Sequence, residues 1–460
     1  MPRQNLRRNP TQSLATVCLL AFAGAAAGAP ALEQVAAGVK ADANQISVSG
    51  ISSGGFMAHQ FHVAHSEHVM GAGIVAGGPY YCAEGNILDA VTKCSQFVML
   101  ECKKLGINDA WCGKTDLAPK TEAEIAQAAA LSFDEAKRQE QRGNISTLAN
   151  LKDDRVYLFS GTYDSIVPQG VMDTLFHFYA DADKAAVAPG NINYSRTFPA
   201  PHTMVRDSFD KPTGGAVGTC AKTGSKSFGT STFIDDCEAV ARQQETQSSC
   251  VCPTPPAAAA GGAAGGADTC PPSDRQDLCR DLHDVDLAGA ILTRIYAAPA
   301  LKPRVSVPNS AVQAFDQRQV FSRFARKPFN ALQDASMAKE GYIFIPKNCK
   351  QGQPCKLHVA FHGCLQGGLT GRKVGRSGNL YSRFAGYNEW AQANDIIVLY
   401  PQVEPRSASA PMNPQGCWDW WGQNYTHEGY HTQRGKQVKA VAQMINILTG
   451  EPKLLDLPPE

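Results

Sequence analysis

The order of two short motifs constrains this chain more than any other feature. Gly50-x-Ser52-x-Gly54 lies within Val48-Ser49-Gly50-Ile51-Ser52-Ser53-Gly54-Gly55-Phe56-Met57, where an apolar strand pattern runs into a helical one. Glycines at that spacing suit a serine on a tight strand-to-helix turn, because a side chain at either would collide with the turn. A histidine–glycine loop at the end of a buried strand ordinarily comes before such an elbow. Here only about twenty residues separate Ser52 from the small-residue stretch that ends at Ala31, and none resembles that loop. It comes far later instead, as His362-Gly363-Cys364 after the apolar run Lys356-Leu357-His358-Val359-Ala360-Phe361.

The remaining elements follow the same displaced order. After the elbow come a helical stretch from Phe56 to Val69 and a glycine-rich buried strand, Met70 to Gly78. Arg155 to Thr162 reads as the next strand, and Asn193 to Phe198 as another. In the second half, Gly341 to Pro346, Lys356 to Phe361 and Asp395 to Gln402 read as strands. A last helix runs from His431 to Leu448, with Val438, Val441, Met444, Ile445 and Leu448 at helical spacing. In an α/β-hydrolase the elements of the second half come first, and that last helix leads into the elbow strand. The expectation is a circularly permuted α/β-hydrolase: one domain, with a mostly parallel central sheet and helices on both faces. Domain termini often lie close together, so such a cut is tolerated.

Residues 1–31 read as an export signal: Arg3, Arg7 and Arg8, a short apolar core from Ser13 to Ala23, then small residues through Ala31 with cuts open after Ala27, Ala29 or Ala31. The apolar run is too short for a stable membrane anchor. Residues 32–237 form the first half of the catalytic domain, 238–282 an insert rich in Cys, Pro, Ala and Gly, and 283–456 the second half. The insert contains Pro253 to Ala267, without periodicity or core residues, and reads as a loop bridging two halves of one fold. Of fifteen cysteines, fourteen remain once Cys18 leaves with the signal, an even number in an exported chain. Disulfides are expected, Cys220 with Cys237 among them, in preference to a metal site built from Cys250, Cys252, Cys270 and Cys279. Net charge is +1, from 43 basic and 42 acidic residues, so nucleic acid is not an expected partner. His59, His62, His65 and His68 drift around a helix rather than forming one ligating face, and are read as surface and packing residues with no metal.

Asp164 follows the strand that ends near Thr162, and His202 follows the strand that ends at Phe198. Ser52, Asp164 and His202 thus stand in the chain order of a hydrolase triad, each on a loop after a strand.

The segments Gly50 to Gly55, Gly77-Gly78-Pro79-Tyr80-Tyr81-Cys82, His358 to Cys364, Tyr387-Asn388-Glu389-Trp390-Ala391, Val398 to Gln402 and Gly416-Cys417-Trp418-Asp419-Trp420-Trp421-Gly422 resemble the permuted poly(3-hydroxybutyrate) depolymerases. The resemblance covers nearly all of the chain after the signal except the insert. It implies a secreted single-domain esterase with Ser52 as nucleophile, Asp164 as acid and His202 as base. The amides of Ser53 and Cys364 would form the oxyanion hole, and no metal or organic cofactor is implied. The substrate would be the polyester or its oligomers, handled by a monomer. The sequence departs from the family at Ala200-Pro201-His202, where glycine or alanine is expected before the histidine. Chemistry supports the same assignments, since an acyl transfer needs a base for the serine, an acid to fix its tautomer and donors for the oxyanion. Trp418 is expected as a flat apolar wall for the polyester, and Cys417 as a disulfide anchor of its loop. A small-ester esterase, on aryl or feruloyl esters, and an inactive polymer-binding protein are the rival readings.

Overall fold

The computed structural model describes residues 28–98, 116–181, 187–198, 200–206, 285–297, 299–322, 332–367, 379–406, 413–422 and 429–455, and the backbone of 234–236. Its strands in the first half are β1 (Lys40–Ile51), β2 (Val69–Val75), β3 (Arg155–Phe159), β4 (Ile192–Ser195), β5 (Met204–Arg206) and β6 (Ile234–Asp236). The second half adds β7 (Val312–Asp316), β8 (Glu340–Phe344), β9 (Pro354–Phe361) and β10 (Ile396–Tyr400). Eight of them form one sheet in the order β4-β3-β2-β1-β9-β10-β8-β7, while β5 and β6 pair separately. All neighbours from β4 to β10 run parallel; β8 is antiparallel to both β10 and β7.

Counted from β7 through β10 and then from β1 to β4, the spatial order becomes 1-2-4-3-5-6-7-8 with only the second strand reversed. That is the α/β-hydrolase sheet, and the chain enters it at the fifth strand. The permutation expected from motif order is therefore the topology of the molecule. The join falls between β1 and β9, which pair in parallel from Ile46 opposite Leu357 to Gly50 opposite Phe361.

Among the described residues, six helices of eight residues or more accompany the sheet: α1 (Ser53–Ala64), α2 (Glu122–Gln141), α3 (Gln169–Ala180), α4 (Leu287–Ile295), α5 (Tyr387–Asn394) and α6 (Lys436–Thr449). One apolar core holds Met57 and Phe61 of α1, Met172 and Leu175 of α3, and Val441 and Ile445 of α6. The other, on the opposite face, holds Ile291 and Leu292 of α4 with Tyr387 and Ala391 of α5. Strands covered on both sides read as continuous apolar runs, which is why Ile396-Ile397-Val398-Leu399-Tyr400 is buried throughout. The last helix starts five residues later than its periodicity suggests. Its approach bends at Gly435, where a Cβ would lie 2.2 Å from Tyr430 O.

The histidines of the first helix correct half of the expectation: they are packing residues, but not at the surface. His59, His62 and His65 are not surface residues but are buried between α1 and its neighbours. His62 bonds Tyr179 Oη through Nδ1 at 2.8 Å and Asp154 Oδ2 through Nε2 at 3.0 Å. On β9, His358 sits between two serines of β1, with Nδ1 2.7 Å from Ser47 Oγ and Nε2 2.7 Å from Ser49 Oγ. Tyr296 and Tyr387 continue those bonds outward, each 2.7 Å from one serine.

Among the described residues, Cys82 pairs with Cys94, Cys349 with Cys355, and Cys364 with Cys417. No described helix is long and apolar enough to cross a membrane. Residues 1–27 of the signal, the low-complexity run and the Cys220–Cys237 pair lie outside the described residues.

Burial pushes the pKa of His59, His65 and His358 down to about 3 and that of His362 to about 4, from 6.5. These rings protonate near pH 6.5 when the chain unfolds but stay neutral when folded. Their contribution is therefore complete above that pH and is lost as pH falls toward 4. Asp154 and Glu389, raised by burial, oppose this, while His431, also lowered by burial, adds to it. The urea midpoint should thus drop clearly between pH 7 and pH 5. An unchanged midpoint would mean that the four rings are accessible to protons in the native state.

Candidate active site

The site is built where β1 and β9 end side by side. Past Ile51, Ser52 takes φ 57° and ψ −127° before α1 begins at Ser53. A non-glycine residue held there costs ~1–3 kcal/mol, and close backbone approaches hold it. A Cβ on Gly50 would lie 2.1 Å from Gly54 O, and one on Gly54 would lie 2.3 Å from Phe361 O. The two glycines of the motif thus do different work: the first lets the elbow close, and the second lets β9 pass against it. Ser52 N donates to Val75 O at 3.0 Å, and Ser52 O accepts from Phe56 N at 3.0 Å.

Asp164 lies on the loop after β3 and His202 on the loop between β4 and β5. Asp164 Oδ1 accepts from the amides of Ile166 and Val167, both at 2.9 Å, which turns Oδ2 toward His202 Nδ1 at 2.8 Å. The two loops are laced together: Thr162 N donates to Phe198 O at 2.9 Å and Tyr163 N to Ala200 O at 3.1 Å. A Cβ on Gly161 would stand 2.0 Å from Ala200 O. The backbone just before Pro201 is therefore already tied to the Asp164 loop. Both Asp164 and His202 are buried.

Ser52, Ser53, His202, Gly363 and Cys364 line one cavity of about 350 Å³. His202 is the one ionisable side chain among its described lining residues, and Phe56, Val167, Trp420 and Trp421 supply much of its apolar wall. Trp420 stacks on Phe56 with centroids 4.1 Å apart and planes 15° apart, and meets Trp421 edge-on at 5.6 Å. The Cys364–Cys417 disulfide binds the loop after β9 to the tryptophan-rich loop. In the first of these loops Gly363 N donates to Gln366 Oε1 at 2.5 Å and Leu365 N to Gln415 O at 2.8 Å. The Cys364 amide between them has no such partner among the described residues. The Ser53 amide opens a helix, where main-chain donors lack an intrahelical acceptor.

Trp418 is corrected. It is wholly buried, edge-on to Phe361 at 5.0 Å and 5.6 Å from His362, and does not line the cavity. Its main-chain N–H donates to Ser53 Oγ at 3.3 Å, so it lies beneath the elbow. The flat wall belongs to Trp420 and Trp421. Sequence reasoning named His362 only as part of the His-Gly loop and passed over Gln366; both brace the loop after β9, and the short spacing from the His-Gly pair to Gln366 was the available signal.

Fold and cavity define the class: a permuted α/β-hydrolase with serine, aspartate and histidine on the loops after β1, β3 and β4. No family model matches the chain. The chain is 31% identical over 433 residues to a poly(3-hydroxybutyrate) depolymerase of Delftia acidovorans, a match that covers 94% of this chain and spans 63% of that protein's length. It is 27% identical over 389 residues to a polyhydroxybutyrate depolymerase of Talaromyces funiculosus, covering 82% of each. Among solved structures, a PHB depolymerase from Penicillium funiculosum matches with TM-score 0.60 at 25% identity, over 92% of this chain and 99% of the other. A PHB depolymerase variant complexed with an R3HB trimer shares the fold at TM-score 0.59 and 24% identity, with the same coverage. By sequence and by fold, this chain is similar to the poly(3-hydroxybutyrate) depolymerases.

Gly54→Ala should cost on the order of 3 kcal/mol or more, because the clash is with main chain that no rotamer can relieve. Thermal unfolding reads this directly. A melting temperature within a degree or two of wild type would show that β9 can withdraw from the elbow.

Proposed function

We propose that the protein is an exported serine esterase that hydrolyses the ester bonds of poly(3-hydroxybutyrate) or its oligomers. The observation that carries this reading is His202, held by Asp164, lining the same apolar cavity as the strained Ser52 elbow. The named activities of the relatives supply the substrate class.

In this reading Asp164 holds the His202 Nδ1 proton, which leaves Nε2 as a base. Ser52 Oγ attacks the ester carbonyl carbon as its proton passes to His202 Nε2. The carbonyl oxygen becomes an oxyanion, for which the Ser53 and Cys364 amides are the donors. Collapse breaks the bond to the alkoxy oxygen, which takes the proton from His202 and leaves as a hydroxyl end. Water then gives a proton to His202 and attacks the acyl-serine. The second tetrahedral intermediate collapses, Ser52 recovers its proton and a carboxylic acid departs. No step calls for a metal or an organic cofactor. The apolar walls suit a substrate with methyl-bearing repeats and no charge along its length. Residues 1–31 serve as the export signal, in keeping with the disulfides.

Ser52→Ala should abolish hydrolysis with little change in melting temperature, since only a hydroxyl at the cavity is removed. Comparable losses in other hydrolases reach ~10⁴–10⁶ in rate. A variant retaining a tenth of wild-type turnover would move the nucleophile to another residue.

Trp420→Ala, assayed on polymer film, soluble trimer and a short p-nitrophenyl ester, separates the depolymerase from a small-ester esterase. At about 25 cal/mol per Å² a ring of this size is worth a few kcal/mol of contact. Film and trimer should lose at least ~10-fold in kcat/KM, and the short ester much less. Equal losses on all three would make Trp420 a packing residue. Wild-type turnover of the short ester alone would leave the small-ester reading standing.

A further inference from the structure

The proposed mechanism needs the Cys364 N–H aimed at the point where the oxyanion forms. A peptide unit is planar and trans, so its C=O and N–H point in opposite directions within one rigid plane. The Cys364 N–H shares that plane with the Gly363 carbonyl. Whatever grips the carbonyl from behind sets the direction of the amide in front.

His362 grips it. Its Nδ1 donates to Gly363 O at 2.7 Å, and its Nε2 accepts from Val403 N at 3.2 Å. A carbonyl can only accept and a main-chain N–H can only donate, so the two bonds together fix the neutral Nδ1–H tautomer. The ring is wholly buried, and burial holds its pKa near 4. It has little room to turn: Trp418 lies on one side, and a Cβ on Gly367 would stand 3.1 Å from Cε1. The peptide before Gly363 is braced as well, by the bond from Gly363 N to Gln366 Oε1. Each peptide flanking Gly363 is therefore held by a side chain.

We propose that His362 is a positioning residue for ester hydrolysis, holding the Gly363–Cys364 peptide so that the Cys364 N–H faces the carbonyl attacked by Ser52. This rests on the Cys364 amide being an oxyanion donor. The role asks for a donor on the δ side of the ring, with the ε acceptor serving to anchor it.

Two substitutions in the full chain divide those functions. His362→Asn places an amide nitrogen near the Nδ1 position, whereas His362→Gln places its polar end near Nε2. Each is measured for kcat and KM on a short p-nitrophenyl ester, for inhibition by an alkylboronic acid that forms a tetrahedral serine adduct, and for melting temperature. The Gln variant should lose ~100-fold in kcat with KM within about twofold, and should bind the boronate correspondingly more weakly. The Asn variant should keep kcat within ~10-fold of wild type. A split of that kind does not follow from loss of packing, which would lower both melting temperatures without ranking the two rates. Equal kcat in the two variants, or unchanged boronate affinity in the Gln variant, overturns the proposal. Should the Gln variant fail to fold, the Asn variant decides alone, and a ~100-fold loss in its kcat overturns it. A wild type that neither turns over the ester nor binds the boronate is a separate failure: it removes the esterase reading itself.

Discussion

The pairing of β1 with β9 is the contact on which the rest depends. Neither strand is specialised by itself. Side by side they set the end of one against the end of the other, Gly50 opposite Phe361, so that the serine turn and the loop after β9 emerge together. Register matters more here than strength, because a slip by one residue would turn every side chain to the other face. His358 guards that register. With Ser47 and Ser49 on its two ring nitrogens, it has no equally good place one residue along. A buried polar network that is fully satisfied specifies a single arrangement in a way that apolar contacts do not.

The site follows from that pairing by a chain of short-range constraints. Gly54 admits the backbone of β9, His362 and Gln366 brace the peptides beyond it, and the Cys364–Cys417 disulfide carries the same order into the tryptophan-rich loop. On the other side, the Asp164 and His202 loops are bonded to each other along their main chains rather than only through their side chains. The groups at the cavity are thus set by backbone, and the strain at Ser52 is opposed by several independent contacts.

Much of this was legible in the sequence because it depends on order and local pattern. Motif order alone told of the permutation, since an elbow near the start and a His-Gly loop near the end fit one sheet in one way. The positions of Asp164 and His202 after strands were equally readable, because the ends of strands can be located from apolar runs. What sequence did not reveal is the direction in which side chains face outside regular elements. In Trp418-Asp419-Trp420-Trp421 no period of 2 or 3.6 applies, and Trp418 turned inward while Trp420 and Trp421 reached the cavity. The surface half of the reading of the α1 histidines failed for a related reason. A helix covered on nearly every side buries residues that spacing alone would assign to a polar face. Partnerships such as His62 with Asp154 cross elements far apart in the chain, and no local pattern encodes them.

Permutation also has a consequence in time. During synthesis the elbow strand emerges early, yet one of its two neighbours in the sheet, residues 354–361, is made some three hundred residues later. Until then β1 presents an unpaired edge, and its serine stands beside no loop from β9. Long-range pairing of this kind makes assembly slow compared with folds built from local contacts. A nascent or truncated chain that stops short of β9 therefore carries the proposed nucleophile without the surroundings that would make it reactive. The cavity comes into being only after β9 and the tryptophan-rich loop have left the ribosome.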